Sequence, residues 1–326
     1  MIPAGRCLKE AVMRHFHFEY RNYLELSHIN HLASADPAEF VRNCEASYRQ
    51  RVEEAADLVV SRMGISRVVM LAGPSSSGKT TTAHRLTDAL KKRGIHAETI
   101  SMDDYFLTID RTDTSIDYEA PERMDIALLR DHIALLDAGA EIHIPYFDFT
   151  TGIQSESSRS LRLGNGDVAI FEGIHALSDL FCTVGDPTGI YISARMRVTN
   201  KENIYMPPEW LRFVRRCVRD ELFRDSSFLR TLGLWKNVRR GEVRYILPSK
   251  ENAHVQIDTS LAYEPCLFAP FAVGELESLP EEELDDRELS GIAQALSSFV
   301  PIDPSLVPED SLMREFIGEA GTAIVH

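Results

Sequence analysis

A short glycine-containing motif constrains this chain more than any other part of its sequence. The segment Gly73–Thr80 reads Gly-Pro-Ser-Ser-Ser-Gly-Lys-Thr and matches the pattern G-x-x-x-x-G-K-[ST]. An apolar, β-branched run at 68–71 precedes it and predicts a buried strand, and periodic apolar residues at 83–90 predict a helix after it. An ordinary Gly/Ser turn does not require these flanks, whereas a phosphate-binding loop does.

The residue types in this loop are those that phosphate binding requires. Gly73 and Gly78 permit backbone angles that strain other residues. The loop N–H groups and the positive end of the following helix can surround an anion. We expect Lys79 to reach the β- and γ-phosphates of a nucleotide and the Thr80 hydroxyl to bind Mg²⁺. The predicted nucleotide-binding residues are Gly73, Pro74, Ser75, Ser76, Ser77, Gly78, Lys79, Thr80 and Thr81.

Length and composition limit the class of protein. The 326 residues suffice for one large α/β domain with appendages, or for two domains. No apolar run reaches membrane-spanning length, and the N-terminus lacks the apolar region of a secretory signal. The five cysteines are scattered and form neither a disulfide framework nor a CxxC metal pair. These features predict a cytoplasmic protein that binds no membrane.

The net charge of −15 is unevenly distributed and argues against general nucleic-acid binding. Residues 271–326 hold 13 acidic and 2 basic residues and so carry −11, which predicts a solvated helical face. Residues 206–245 hold 10 basic and 5 acidic residues and so carry +5. A basic island in an acidic protein favours a small anion as its partner.

Carboxylates follow two further predicted strands. Asp103 and Asp104 come directly after the strand predicted at 95–101, and Glu172 ends the strand predicted at 168–172. Open α/β sheets place their ligands at the carboxyl ends of strands, and phosphate-loop enzymes use a strand-end acid to hold Mg²⁺. The alternatives are capping or turn formation by the aspartates, and a buried strand that merely ends in Glu.

An aromatic-rich segment lies between these strands. We predict a short strand at 142–145, an aromatic loop at 146–152 and a short edge strand at 161–163. Phe147 and Phe149 in the loop either belong to the core or stack on a flat ligand ring.

The helix predicted at 210–224 carries an arginine face. Arg212, Arg215, Arg216 and Arg219 follow the spacing i, i+3, i+4 and i+7, whereas Leu211, Val214, Val218 and Leu222 line a face that can pack. Clustered guanidinium groups repel one another unless an anion lies among them. An anion-facing helix is therefore favoured over a solvated one.

Several of these motifs, taken together and in order, resemble the uridine kinase/phosphoribulokinase family. The matching segments, within residues 68–267, are GPSSSGKT, SMDDYF, YEAPERMD, PYFDF, VAIFEGIH and RRCVRDELFR. LWKNVRRGEVRYILPSKENA and VPEDSLMREFIGE further resemble a branch of bacterial uridine-kinase-like proteins often found behind a TGS domain, of which this chain is expected to be a stand-alone version.

The resemblance implies an α/β fold of the P-loop NTPase type, a three-layer sandwich around a mostly parallel sheet. It implies a helical N-terminal extension at 1–65, a P-loop kinase domain at 66–270 with a lid at about 206–245, and an acidic helical C-terminal extension at 271–326. We expect the N-terminal extension to pack on the outside of the kinase domain.

The resemblance also implies roles for individual residues. Asp103 would accept the proton of a sugar 5′-hydroxyl, Glu119 would bind ribose hydroxyls, and Glu172 would join Thr80 at the metal. Arg216, Arg219 and Arg224 would close over the phosphates, with Lys79 completing the catalytic set. The predicted acceptor contacts are Asp103, Tyr105, Glu119, Phe147, Phe149 and Arg216.

The implied function is transfer of a phosphoryl group from ATP, with Mg²⁺, to the 5′-hydroxyl of a nucleoside. Gly152 and Gln154 replace the His and Arg that read the base in uridine–cytidine kinases, and His254 replaces a usual Asp, so the base preference stays open. Two alternatives also stay open: a phosphosugar kinase of the phosphoribulokinase type and a non-catalytic nucleotide-binding regulator. The expected partners are a nucleoside or sugar and ATP, with no nucleic acid, and homo-oligomerisation is undecided.

Overall fold

The computed structural model describes residues 23–109, 117, 119–201, 203–279 and 287–319. Its strands are β1 (Tyr23–Glu25), β2 (Val68–Ala72), β3 (Ala97–Ser101), β4 (Glu141–Asp148), β5 (Ile153–Arg162), β6 (Val168–Glu172), β7 (Thr188–Ser193), β8 (Arg197–Asn200), β9 (Asn203–Met206) and β10 (Val255–Asp258). Its α-helices are α1 (Leu26–Ala35), α2 (Pro37–Arg62), α3 (Lys79–Lys92), α4 (Ile126–Asp137), α5 (Asp179–Cys182), α6 (Pro208–Phe223), α7 (Phe228–Gly241), α8 (Glu264–Glu277), α9 (Arg287–Leu296) and α10 (Arg314–Ile317).

A parallel sheet of five strands forms the centre of the fold, in the order β10-β7-β2-β6-β3. The strand order reverses at β2, and crevices at such reversals are where α/β sheets bind ligands. The register pairs Leu71 of β2 and Ser101 of β3 with Glu172 of β6. The carboxyl ends of these three neighbouring strands therefore meet at one edge.

Both faces of this sheet are covered, because successive residues of its strands point to opposite sides. Val69 and Leu71 belong to the cluster beneath α2 and α3, whereas Val68 and Met70 belong to a second cluster with α4 and α5. The predicted three-layer α/β sandwich is confirmed.

The N-terminal helices belong to the first of these clusters. Asp36 caps α2 by accepting a hydrogen bond from the Glu39 N–H at 2.8 Å, and Pro37 occupies the first helical turn. Val52, Ala55 and Val59 are buried with the strands β2 and β7. Ahead of these helices, β1 pairs in parallel with β8, in a small sheet separate from the central one.

The aromatic segment is a hairpin. The strands predicted at 142–145 and 161–163 overlap β4 and β5 but are too short, and the loop predicted at 146–152 is wrong for 146–148, which belong to β4. β4 extends through Tyr146 and Phe147 to Asp148, and it pairs antiparallel with the ten-residue β5. The connecting turn ends at Gly152, whose φ of 74° suits glycine and whose N–H bonds the Asp148 carbonyl at 2.7 Å. The length of β5 was underestimated because this strand is mostly polar and lacks the apolar alternation of a half-buried strand.

The described residues of the predicted C-terminal extension include the helices α9 and α10, but they do not form a simply solvated face, and 280–286 and 320–326 lie outside the described residues. Most of α8 is buried, and Leu312, Met313 and Phe316 have no solvent exposure. Residues 311–317 pack beside the phosphate loop at the start of α3, where Leu312 lies against Gly78. None of the helices in the described ranges has the length and apolar character required to cross a membrane.

Candidate active site

The phosphate loop connects β2 to α3 as its motif predicts. Gly78 precedes the helix with a φ of 85°, and Ser76 also has a positive φ, of 58°. Gly73 has no room for a side chain, because a Cβ there would overlap the carbonyl oxygen of Ile192 in β7. The two glycines therefore meet a steric and a conformational requirement of the loop.

The loop contains polar groups that have no partner. The hydroxyl oxygens of Ser76 and Ser77 are buried and make no hydrogen bond within the described part of the chain. Lys79 folds back, and its Nζ donates to the Pro74 carbonyl at 3.2 Å. Buried polar atoms are normally satisfied, so these hydroxyls fit a loop that binds an anion.

Glu172 and Thr80 approach each other beside this loop. The Thr80 hydroxyl donates to Glu172 Oε1 at 3.3 Å. Burial raises the pKa of Glu172 to about 7, although the charge of Lys79 opposes the rise. A hydroxyl and a carboxylate are the oxygen ligands that suit Mg²⁺, which usually takes its remaining ligands from water and substrate phosphates.

Asp103 lies at the end of β3, on the opposite side of β6 from the loop. Its N–H bonds the Ser101 hydroxyl at 3.3 Å, which fixes the short 3₁₀ turn Met102–Tyr105. Asp103 as a residue is exposed at the cleft, and the surrounding protein raises the pKa of its carboxyl group by desolvation, whereas the charges of Lys79 and Arg224 lower it. Asp103 therefore faces the cations of the loop and the arginine helix.

Three carboxylates act on the charge of Lys79: Glu172 and Asp103 at the ends of two strands, and Glu315 on α10. Desolvation lowers the pKa of this ammonium group, whereas Glu172, Asp103 and Glu315 raise it. The fourth member of this group, Glu315, comes from α10 and was not foreseen from the sequence.

A second wall of the cleft contains Glu119. Desolvation raises the pKa of Glu119, and the charges of Arg216 and Lys79 lower it. The Glu119 N–H bonds the Asp117 carboxylate at 3.1 Å, and the Tyr245 hydroxyl donates to the same carboxylate at 3.0 Å. Asp117 and Tyr245 thus position Glu119, although sequence reasoning had assigned neither a role.

The predicted aromatic contacts divide into buried and exposed residues. Tyr105, predicted as an acceptor contact, is fully buried here, and its hydroxyl bonds His132 Nδ1 at 2.8 Å, so it packs in the core. Phe147 is 3% exposed, whereas Phe149 is 66% exposed. The two rings lie edge to face with centroids 5.0 Å apart, and Phe106 completes the cluster.

The arginine face of α6 is only partly free for a ligand. Arg212 makes a two-point contact with buried Glu242, at 2.8 Å for each oxygen, and Arg215 binds buried Glu264 at 2.6 and 2.7 Å. The prediction that this whole face awaits an anion is therefore wrong for these two arginines. Their acidic partners lie 30 and 49 residues further along the chain, beyond the reach of helical periodicity.

The same two arginines hold the phosphate loop, since Arg212 donates to the Ser75 carbonyl at 3.2 Å and Arg215 to the Ser76 carbonyl at 3.3 Å. The remaining arginines lie nearer the cleft. Arg216 donates to the Ser75 hydroxyl at 2.8 Å. Arg219 and Arg224 contact Asp220 at 3.2 and 3.7 Å.

The three residues that depart from the family pattern, Gly152, Gln154 and His254, each make a structural contact. Gly152 ends the hairpin turn, and the His254 ring accepts a hydrogen bond from the Gly189 N–H at 2.9 Å. The Gln154 backbone N–H bonds the Thr108 hydroxyl at 3.0 Å, which joins β5 to the turn after β3.

A cavity of about 1020 Å³ adjoins the loop on the side away from Asp103. Its lining includes Pro74 of the loop, Arg212 of α6 and, at the carboxyl ends of β7 and β10, Ser193 and Asp258. Its volume is sufficient for a ligand of nucleotide size.

A parallel sheet whose central strand leads through this loop into a helix defines the class as the P-loop NTPase fold. The family model "Phosphoribulokinase / Uridine kinase family" matches residues 68–262. The chain belongs to that family and is a kinase by class.

Known relatives and one solved structure are similar to part of this chain. The chain is similar to the uridine kinase of Ureaplasma urealyticum serovar 10, with 25% identity over 58% of this chain and 86% of that protein. It is also similar to the uridine kinase of Deinococcus deserti, with 27% identity over 61% of this chain and 91% of that protein. A structure described as a possible uridine kinase from Bacillus stearothermophilus is 20% identical, with a TM-score of 0.44 over 64% of this chain and 98% of that one.

Proposed function

We propose that this protein transfers the γ-phosphoryl group of ATP to the 5′-hydroxyl of a nucleoside. The observation that carries the proposal is the convergence of the phosphate loop, Glu172 and Asp103 on one edge of the sheet. Phosphoryl transfer depends on in-line positioning and charge neutralisation, and this edge supplies both a cationic loop and an anionic acceptor side.

The proposed roles follow from these positions. The loop amides and Lys79 hold the β- and γ-phosphates, and Thr80 and Glu172 hold Mg²⁺, which neutralises phosphate charge when bound. Arg216, Arg219 and Arg224 contact the phosphates as the lid closes and water leaves. The cavity beside Pro74 offers room for the base of the donor.

Asp103 orients the acceptor hydroxyl and takes its proton as general base. Glu119, held by Asp117 and Tyr245, binds the ribose hydroxyls. Phe149 is the exposed aromatic side chain available to stack on a base.

A phosphosugar acceptor is the second candidate, because an exposed arginine lies beside Tyr245, whose hydroxyl bonds Asp117. The Arg244 guanidinium lies over the Tyr245 ring, 5.0 Å from its centroid. A phosphate on the acceptor would find a partner there.

The test is a panel of nucleosides and phosphosugars supplied with ATP and Mg²⁺ and followed by ADP release. Turnover of a nucleoside supports the proposal, with the K79A variant as the inactive control. Turnover of phosphosugars alone would establish the second candidate. Tight ATP binding without turnover of any acceptor would indicate a nucleotide-binding regulator.

A further inference from the structure

The segment 311–317 is built into the fold beside the phosphate loop. Leu312 lies against Gly78, where a Cβ added to the glycine would be only 2.5 Å from Leu312 Cδ1. The Arg215 guanidinium lies over the Phe316 ring, 5.2 Å from its centroid. Ser311 donates to the buried carboxylate of Glu45, which also accepts a hydrogen bond from Tyr263. The apolar and polar anchors together fix where Glu315 lies.

Glu315 contacts the nucleotide-binding elements from both sides. Its Oε2 accepts a hydrogen bond from the Thr81 hydroxyl at 2.6 Å, and its Oε1 lies 3.9 Å from Arg219 Nη1. The carboxylate is close enough to raise the pKa of both Lys79 and Glu172. It therefore bridges the first turn of α3 and the arginine helix.

This position is unfavourable for a negative charge that stays in place when a nucleotide binds. The first turn of α3 is where N–H groups and the helix dipole attract phosphate. A carboxylate bound there uses the same positive potential, and it would repel a phosphate bound in the loop more strongly than it would in bulk water, because the site is partly desolvated. The carboxylate also forms an ion pair with Arg219, one of the three arginines proposed to contact the phosphates when the lid closes.

We infer that Glu315 is an internal competitor of the nucleotide phosphates, so that binding of ATP or ADP must displace its carboxylate from Thr81 and Arg219. The inference rests on the proposed function, because it requires a nucleotide in the loop. It assigns the C-terminal segment a part in setting nucleotide affinity.

The test measures binding of ADP with Mg²⁺ by titration calorimetry to the full-length protein, without any acceptor. E315Q keeps the size of the side chain and a hydrogen-bond acceptor for Thr81 but removes the charge. We expect it to bind ADP roughly 5- to 50-fold more tightly than the wild type. The gain should shrink at high salt, because salt screens the repulsion.

The matched control is E309Q, which makes the same change at an exposed position of the same C-terminal region. It should bind ADP as the wild type does. Unchanged or weaker binding by E315Q would overturn the inference, the second result indicating that Glu315 supports the loop. If neither wild type nor E315Q binds ADP, the nucleotide site itself is wrong, and the inference falls with it.

A second measurement does not depend on a substitution. Hydrogen–deuterium exchange of residues 311–317 should increase when ADP and Mg²⁺ bind to the wild type, because the Glu315 contacts are broken. K79A, treated identically, should show no such increase. Increased protection of 311–317 in the wild type would contradict displacement.

Discussion

Gly241, the last residue of α7, lies directly against the side chain of Glu119. A Cβ at Gly241 would overlap the Cβ of Glu119 and lie 2.6 Å from its Cγ. We expect Gly241→Ala to displace Glu119 and to raise the KM for the acceptor roughly tenfold or more, since small misplacements of a binding group are costly.

The control for this change is Gly233→Ala in the same helix, where a Cβ meets nothing within 4 Å. It should leave both KM values unchanged and stabilise α7 by about 0.5–1 kcal/mol. Steady-state kinetics with each substrate varied separates the acceptor from ATP. An unaltered acceptor KM in Gly241→Ala would remove Glu119 from the acceptor site.

Asp103→Asn should leave ATP binding intact and lower kcat by roughly 10²–10⁴, the range usual for loss of a general base. Its neighbour Asp104 provides the control, because its half-buried carboxylate faces Phe147 of the hairpin. Single-turnover kinetics and calorimetry measure the two quantities. Similar losses of kcat in Asp103→Asn and Asp104→Asn would argue against a general base at 103.

Glu172 gives the folded protein a pH dependence of stability. Burial raises its pKa from the ordinary 4.5 to about 7, so between these values the folded state binds more protons than the unfolded chain. The contribution of Glu172 to stability is therefore present below about pH 4.5 and is lost as pH rises through about 7.

Glu172→Gln removes this titration. We expect the stability of the variant relative to wild type to increase between pH 5 and pH 8 by on the order of 3 kcal/mol, as urea unfolding would measure. Exposed Glu156→Gln should show no such change. A difference that stays constant across this pH range would show that Glu172 is ionised throughout.

The buried pair of Arg212 and Glu242 should be sensitive to loss of one partner. Glu242→Gln leaves a buried guanidinium without its carboxylate and should cost about 3–5 kcal/mol in the free energy of unfolding. Glu141→Gln breaks an exposed ion pair of 3.8 Å and should cost less than about 1 kcal/mol. If chemical denaturation gave an equally small loss in the free energy of unfolding for both variants, the Arg212 guanidinium would have to be hydrated in Glu242→Gln.

Local patterns predicted the strand, loop and helix of 68–92 and the strand-end positions of Asp103 and Glu172. Each of these depends on neighbours within a few residues, which periodicity and turn chemistry reveal. The partners of Arg212 and Arg215 could not be predicted in this way, because Glu242 and Glu264 are brought in by tertiary packing. The pairing and full length of the β4–β5 hairpin were not predicted, because β5 is mostly polar along its length.

Glu315 is the clearest example of a site residue that local sequence patterns cannot identify. In the sequence it is one acid among the 13 of residues 271–326, and nothing local distinguishes it. Its contact with Thr81 spans 234 positions of the chain. The large apolar residues Leu312 and Phe316, which are buried in the structure, were the available sequence signal. Such residues indicate a segment that packs against the protein and not a wholly solvated face.

The pairing of β1 with β8 has a consequence for how the molecule assembles. Tyr23 lies beside Arg197 in a parallel register, so the first described strand has its partner in the second half of the chain. Closing so long a loop carries an entropic cost before any contact is gained, and contacts of this kind slow folding. During synthesis β1 cannot pair with β8 until the ribosome has released residues near 200, so this small sheet is completed late.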